Sequence, residues 1–246
     1  FLHFLRTNLT TLPISVPVFA TIATNENQVS PMYDETITSV KKTRNAQQKQ
    51  QLILQAALEV FSTYGLQGAS MEQIAETAGI SKSNLFYYFA GKDDLYVAVL
   101  SQVLTAWLLP LNQLEKEQDP AQALGNYLDV KFQLAKDSPQ ASRLYALEMM
   151  QGAPYISTIL KGSLKKLVQQ KTAVINDWIE QGRLKPVSAL HLIIHIWAVT
   201  QHYSDFTVQT QAISGKTLKN KSFYQEALAT SKQLLIESLI PTVVEH

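Results

Sequence analysis

Cysteine is absent from the 246-residue chain, which excludes disulfide frameworks, thiolate metal sites and cysteine nucleophiles together. The absence suits a reducing compartment, and the cytoplasm is the expected location. An excess of charge is missing too: 21 Lys and Arg stand against 20 Asp and Glu, a formal net charge of +1. The molecule is no polycation, so any contact with nucleic acid has to use a local patch. Long unbroken apolar runs are also wanting. The opening FLHFLRTNLTTLPISVPVFATIATNENQVSP is apolar, but Pro13, Pro17, Pro31 and several threonines interrupt it. That falls short of the about 20 apolar residues a spanning helix needs, and a basic leader is missing from the front. No other segment is expected to cross a membrane. Residues 1–40 are expected to form a disordered extension, with Met32 as the natural start; a weak export signal is the rival reading.

Catalytic patterns are equally scarce. No serine–histidine–acid order, glycine-rich phosphate loop or paired catalytic carboxylates stands out, so neither an enzyme nor a cofactor is expected. His191 and His195 are four apart, as in zinc peptidases. The glutamate such a site places beside its first histidine is replaced here by apolar residues. Core or surface histidines are the expectation, and no metal.

What the chain does have is helical periodicity from about Thr43 onward. Leu52, Ile53, Ala56, Ala57, Val60, Phe61 and Tyr64 trace one apolar stripe, and Gly65 follows as a stop. Ser70 with Gln73 three positions on is a capping box that opens a second helix, Met71 to about Ala78. Gly79 closes it, Ser81 caps a third from near Lys82, and Gly91 breaks that one. Asp93 and Asp94 open a fourth, placed where a helix dipole favours carboxylates. Longer helices follow: to near Pro110, then one ended by Pro139, one closed by Gly152, and one from Ile156 to Gly182. Two more run roughly from Ser188 to Gln209 and from Ser222 to Ile240. The expected fold class is all-α. Residues 41–91 make a helix-turn-helix unit of three helices, and residues 92–246 a larger bundle for effector binding and dimerisation.

Two short helices joined by a glycine-containing turn can set the second into a DNA major groove. On that second helix Leu85, Phe86 and Phe89 are spaced for one buried face. Ser81, Lys82, Ser83, Asn84, Tyr87 and Tyr88 are left for the exposed side. Hydroxyls and a lysine suit phosphates, and the Asn84 amide can read a base edge. Lys92 is expected to add a phosphate contact at the start of the next helix. Lys41, Lys42, Arg44 and Lys49 form a carboxylate-free basic arm just before and within the first helix. A structural hairpin with a polar surface fits the same pattern.

The segment GLQGASMEQIAETAGISKSNLFYYFAGKDDLYVAVL, preceded by ALEVFSTYG, resembles the DNA-binding domain of the TetR family of bacterial transcription regulators. The likeness covers residues 47–100 continuously. It implies DNA contacts at Ser70, Lys82, Ser83, Asn84, Tyr87, Tyr88 and Lys92. Farther on, the W-L-x-P of Trp107–Pro110, SPQASRLYALEMMQGAPYI and IWAVTQHYSDF at 196–206 resemble the pyrimidine-utilisation regulators within that family. This likeness implies a repressor of pyrimidine catabolism genes that responds to uracil or thymine, with a palindromic duplex operator. A regulator of this family for an unrelated small molecule is the alternative. A flat base wants aromatic faces and a side-chain amide, and Trp107, Trp197 and Gln201 supply these, with Arg143 and Tyr203 as further candidates. Tryptophans at helical spacing fit a core equally well. Leu192, Ile196, Val199, Leu228, Leu235 and Leu239 on the last two helices are expected to build a homodimer interface.

Overall fold

The computed structural model describes residues 34–241, with side chains from residue 45 on. The expected Met32 start and the stretch before it lie outside the described residues. Among the described residues every regular element is helical. Helix α1 (Asp34–Gly68) begins nine residues before the expected Thr43. Gly65, at φ 66° and ψ 174°, breaks its helical geometry where the stop is expected. Helices α2 (Met71–Thr77) and α3 (Lys82–Tyr88) follow, then α4 (Lys92–Asn112), α5 (Pro120–Asp137) and α6 (Pro139–Met150).

The expected long helix to Gly182 divides into α7 (Ser157–Ile159), a π-turn at Leu160–Leu164 and α8 (Lys165–Glu180). The expected Ser188–Gln209 helix also divides, at Phe206. Its parts are α9 (Ala189–Asp205) and α10 (Thr207–Ser214), ended by Gly215 in the left-handed region at φ 70°. Helix α11 (Lys221–Leu235) closes the bundle, capped by Asn220.

Two apolar cores result. The first joins α1, α2, α3 and the first half of α4 to α6, through Phe61, Ile74, Leu85, Val99, Leu100 and Leu144. It crosses the expected boundary at residue 91 without a break. The second joins the end of α4 to α5, α8, α9 and α11, through Leu111, Leu124, Phe132, Ile175, Trp178 and Ile193. Helix α4 contributes to both. By length and composition it is also apolar enough to cross a membrane, against the sequence expectation. Leu95, Tyr96, Val99, Leu100, Val103, Leu104 and Trp107 are instead buried among its neighbours.

Three expectations about burial are corrected. Leu52 and Tyr64, assigned to the buried stripe of α1, are exposed. Phe86 is exposed as well, because a seven-residue helix that turns Leu85 and Phe89 inward swings the intervening position about 100° away. Leu192 and Ile196, expected at a dimer interface, are buried in the second core of the chain itself.

Candidate functional site

Helix α3 is built from its caps outward. The Ser81 hydroxyl accepts the Asn84 N–H at 3.2 Å. At α2 the capping box closes both ways: Ser70 Oγ accepts from the Gln73 N–H, and the Ser70 N–H donates to the Gln73 amide oxygen at 2.8 Å. The two helices are tied through Gly79, which adopts φ +65°, and through the Ile80 N–H, which donates to the Ala75 carbonyl at 3.0 Å. Leu85, fully buried, and Phe89 anchor α3 on the first core.

The opposite side of α3 faces solvent. Lys82, Ser83 and Tyr87 are exposed, Tyr87 by 82%, while Asn84 and Tyr88 are half-buried. The Tyr87 and Tyr88 rings meet edge to face at 5.2 Å. Lys82 pairs with the Glu72 carboxylate, and this hydrogen bond holds Glu72 below the usual carboxylate range. Both partners are solvent-exposed, so water screens the pair and a phosphate can compete for the lysine. The Lys92 ammonium donates to the Ala69 carbonyl at 2.9 Å. It thereby ties the corner ahead of α2 to the start of α4, and the half-buried ammonium keeps further N–H donors for a phosphate. Lys42 lies on α1, and its side chain is outside the described ones.

The second arrangement lies inside the bundle, where the two cores meet. On α5, Tyr127 and Lys131 are one turn apart and buried. On α9, Trp197, Gln201 and Asp205 share one face at the same spacing. The two stripes meet: the Trp197 indole N–H donates to the Tyr127 hydroxyl, and the Ser204 hydroxyl donates to the Ala135 carbonyl at 2.8 Å. Helix α6 closes the layer with Ser142, whose hydroxyl bonds the Asp205 carboxylate. From α4 comes Trp107, its ring edge to face with Tyr145 at 5.3 Å. Lys131 holds its ammonium 4.8 Å from the centre of the Trp107 ring.

Burial governs the titration of this layer. It pushes the Lys131 ammonium down to about 8, against the attraction of Asp205. It raises Asp205 above the usual carboxylate range, opposed by the Ser142 hydrogen bond and the nearby Lys131, His202 and Arg143. The Tyr127 phenol is likewise raised by burial, opposed by the bond from Trp197.

Of the sequence candidates, Trp107 meets Lys131 and Trp197 meets Tyr127, while Gln201 lies half-buried one turn beyond Trp197 on α9. Arg143 stands at the rim of the layer, exposed on α6 yet near enough for its charge to act on Asp205. Tyr203 packs instead into an aromatic group with Phe132 at 5.6 Å and Phe223 at 6.0 Å. Lys131, Ser142 and Asp205 were not among the ligand candidates read from the sequence. A signal existed for the first, since Lys131 occupies an inward position in the stripe Leu124, Tyr127, Leu128, Phe132, Ala135. His191 and His195 are exposed on α9, and no group of three metal-binding side chains converges among the described residues.

Two links join the head to α6 through α4. Glu148, fully buried on α6, accepts from the Tyr96 hydroxyl at 3.2 Å and from the Tyr155 N–H at 2.8 Å. Tyr96, on α4, in turn meets Phe61 of α1 edge to face at 5.1 Å. A cavity of about 170 Å³ lies at the same seam, lined by Tyr64, Tyr96, Leu144, Gln151 and Tyr155 among others.

Comparison with known proteins finds matches along both the head and the bundle. Residues 53–99 match the family "Bacterial regulatory proteins, tetR family", and residues 100–242 match "YcdC-like protein, C-terminal region". The chain is 43% identical over 204 residues to the HTH-type transcriptional regulator RutR of Escherichia coli K12, covering 83% of this chain and 96% of that protein. It is 28% identical over 175 residues to the HTH-type transcriptional dual regulator CecR of Shigella flexneri, covering 70% and 67%. Among solved structures, a TetR family transcription regulator from Marinobacter aquaeolei superposes with a TM-score of 0.61 at 15% identity, covering 81% of this chain and all of that one. The ketosteroid regulator KstR2 of Mycobacterium tuberculosis gives 0.60 at 18% identity, covering 77% and 94%. These two share the fold.

Proposed function

Because the chain belongs to the TetR family of bacterial transcription regulators, we propose that it represses pyrimidine catabolism genes in the cytoplasm and leaves its operator on binding uracil or thymine. Proteins of this family regulate transcription and are not enzymes. The observation that carries the finer reading is the layer around Trp107, Trp197 and Gln201, which offers a flat base aromatic walls and a side-chain amide. The likeness of IWAVTQHYSDF to pyrimidine-utilisation regulators supports it.

Ser81, Lys82, Ser83, Asn84, Tyr87 and Tyr88 face the duplex, Asn84 toward a base edge and the others toward phosphates. Lys82 exchanges Glu72 for a phosphate. Ser70 adds a contact at the start of α2, Lys42 reaches the backbone from the basic arm, and Lys92 holds the corner that aims α2. The operator is a palindrome. Two copies pair through α9 and α11, using the exposed Leu190, Ile194 and Leu234 in place of the buried Leu192 and Ile196.

Release follows from α4. That helix begins at the clamp of Lys92 on Ala69 and reaches the layer at Trp107. An effector beside Trp107 biases the position of α4, and Tyr96 and Glu148 carry the displacement to α1 and α6. The two reading helices of the dimer then lose register with successive half-sites, which lie ~34–36 Å apart. Selection of bound duplexes from a random pool, with and without uracil or thymine, tests this. A palindromic motif retained without base and lost with it is expected. Retention unchanged by either base removes the pyrimidine reading.

A further inference from the structure

Lys131 is 96% buried, its residue only 4% exposed, and it forms no hydrogen bond or ion pair with any described residue. An ammonium taken from water without a partner is unfavourable, and a methionine of similar length would fill the same space without that penalty. Asp205 is the complementary group. It lies near enough to attract Lys131, is anchored by Ser142, and yet forms no ion pair with the lysine. A cation and an anion thus face one apolar-walled layer, one from α5 and one from α9, with Trp107 and Tyr145 beside them. Gln201 stands one turn before Asp205 on the same face of α9.

We propose that Lys131 and Asp205 together read a neutral planar ligand through an adjacent carbonyl and ring N–H, the lysine donating to the carbonyl and the aspartate accepting from the N–H. The inference rests on the effector reading above and names the edge of the base that is read, one shared by cyclic lactams and imides. The paired charges cancel, so the site selects a ligand with a complementary dipole and not one carrying net charge. Gln201 supplies a further donor and acceptor at the same edge. Each contact is a hydrogen bond to a charged group, the stronger kind in a dry site.

Calorimetric titration of the full chain with uracil, 2-pyridone and 1,3-dimethyluracil, on the wild type and on Lys131→Met, tests the pair. The first two probes keep a carbonyl beside an N–H, and the third keeps its carbonyls but has lost both N–H groups. Uracil is expected to bind, 1,3-dimethyluracil to bind at least about 10-fold more weakly, and Lys131→Met to weaken uracil by about 10-fold or more. The dimethyl probe needs no variant, so the result does not depend on Lys131→Met folding. Uracil bound equally by wild type and variant, or as tightly as its dimethyl analogue, overturns the pair and leaves the pyrimidine reading standing. Tight binding of 2-pyridone without uracil upholds the pair and removes that reading. Binding of none of the three by the wild type overturns both.

Discussion

Helix α3 and the layer between α4, α5, α6 and α9 each place a lysine near an aromatic ring, in opposite environments. Lys82 lies in solvent, 5.9 Å from the Phe86 ring centre and paired with an exposed carboxylate. Lys131 lies inside the bundle, 4.8 Å from Trp107, with no partner at bonding distance among the described residues. Water weakens the first interaction until a phosphate can replace it at little cost. Exclusion of water makes the second charge expensive and makes any partner it acquires correspondingly strong. The outer lysine is suited to a large, charged surface met at many points, and the inner one to a small molecule met at a few.

The largest effect is expected at the point that makes α3 an exposed edge at all. Leu85→Ala removes a fully buried side chain from a seven-residue helix and should destabilise the fold by about 2–5 kcal/mol, measured by denaturant unfolding. A loss below about 1 kcal/mol would mean that α3 is not held by the first core.

Next comes Lys131→Met, which should stabilise. Lowering an ammonium from 10.5 to about 8 corresponds to roughly 3 kcal/mol against the charged form in the folded state. Between these values the unfolded chain binds more protons, so wild-type stability rises with pH across that window. The advantage of the variant should be full below pH 8 and gone above about 10.5, read as a difference in Tm at each pH. A variant that melts lower at pH 7 would show that Lys131 is a structural partner and end the contrast with Lys82.

Ser70→Ala opens the capping box and should cost about 1 kcal/mol, since it leaves the Gln73 N–H without its acceptor. The smallest change in stability is expected for Lys82→Ala, within about 0.5 kcal/mol of wild type by thermal melting. The same substitution should lower retention of a selected duplex and reduce the salt slope of binding by about 1. Unchanged retention together with unchanged stability would leave α3 without a role at the duplex.

Much of the head was legible because local chemistry decides it. The Ser70–Gln73 box, the Ser81 cap and the stops at Gly65 and Gly79 each involve groups within a few residues of one another. Phe86 was misplaced for a reason of the same scale: in so short a helix two anchors set the rotation, and a third apolar residue beside them has to turn outward. In the bundle, the apolar periodicity located the helices but not their neighbours. Leu192 and Ile196 fit either a dimer face or an internal core, and only the packing of α9 on α5 and α8 chose the core. Lys131 was missed for a related reason, since only the rotation of α5 about its axis turned it inward. The likeness of residues 196–206 to other regulators pointed to α9, but it held nothing about what stands opposite.

From its order of residues alone, the protein is an all-helical chain with a capped, glycine-punctuated head whose third helix offers hydroxyls, an amide and a lysine on one side. Those features rest on hydrogen bonds and dihedral preferences spanning four residues or fewer, which an isolated stretch of chain already contains. The meeting of Lys131 with Asp205, Ser142 and Trp107 was decided by the tertiary structure. These groups sit on four helices far apart in the chain, and the burial that gives them their character exists only once both apolar cores have closed around them.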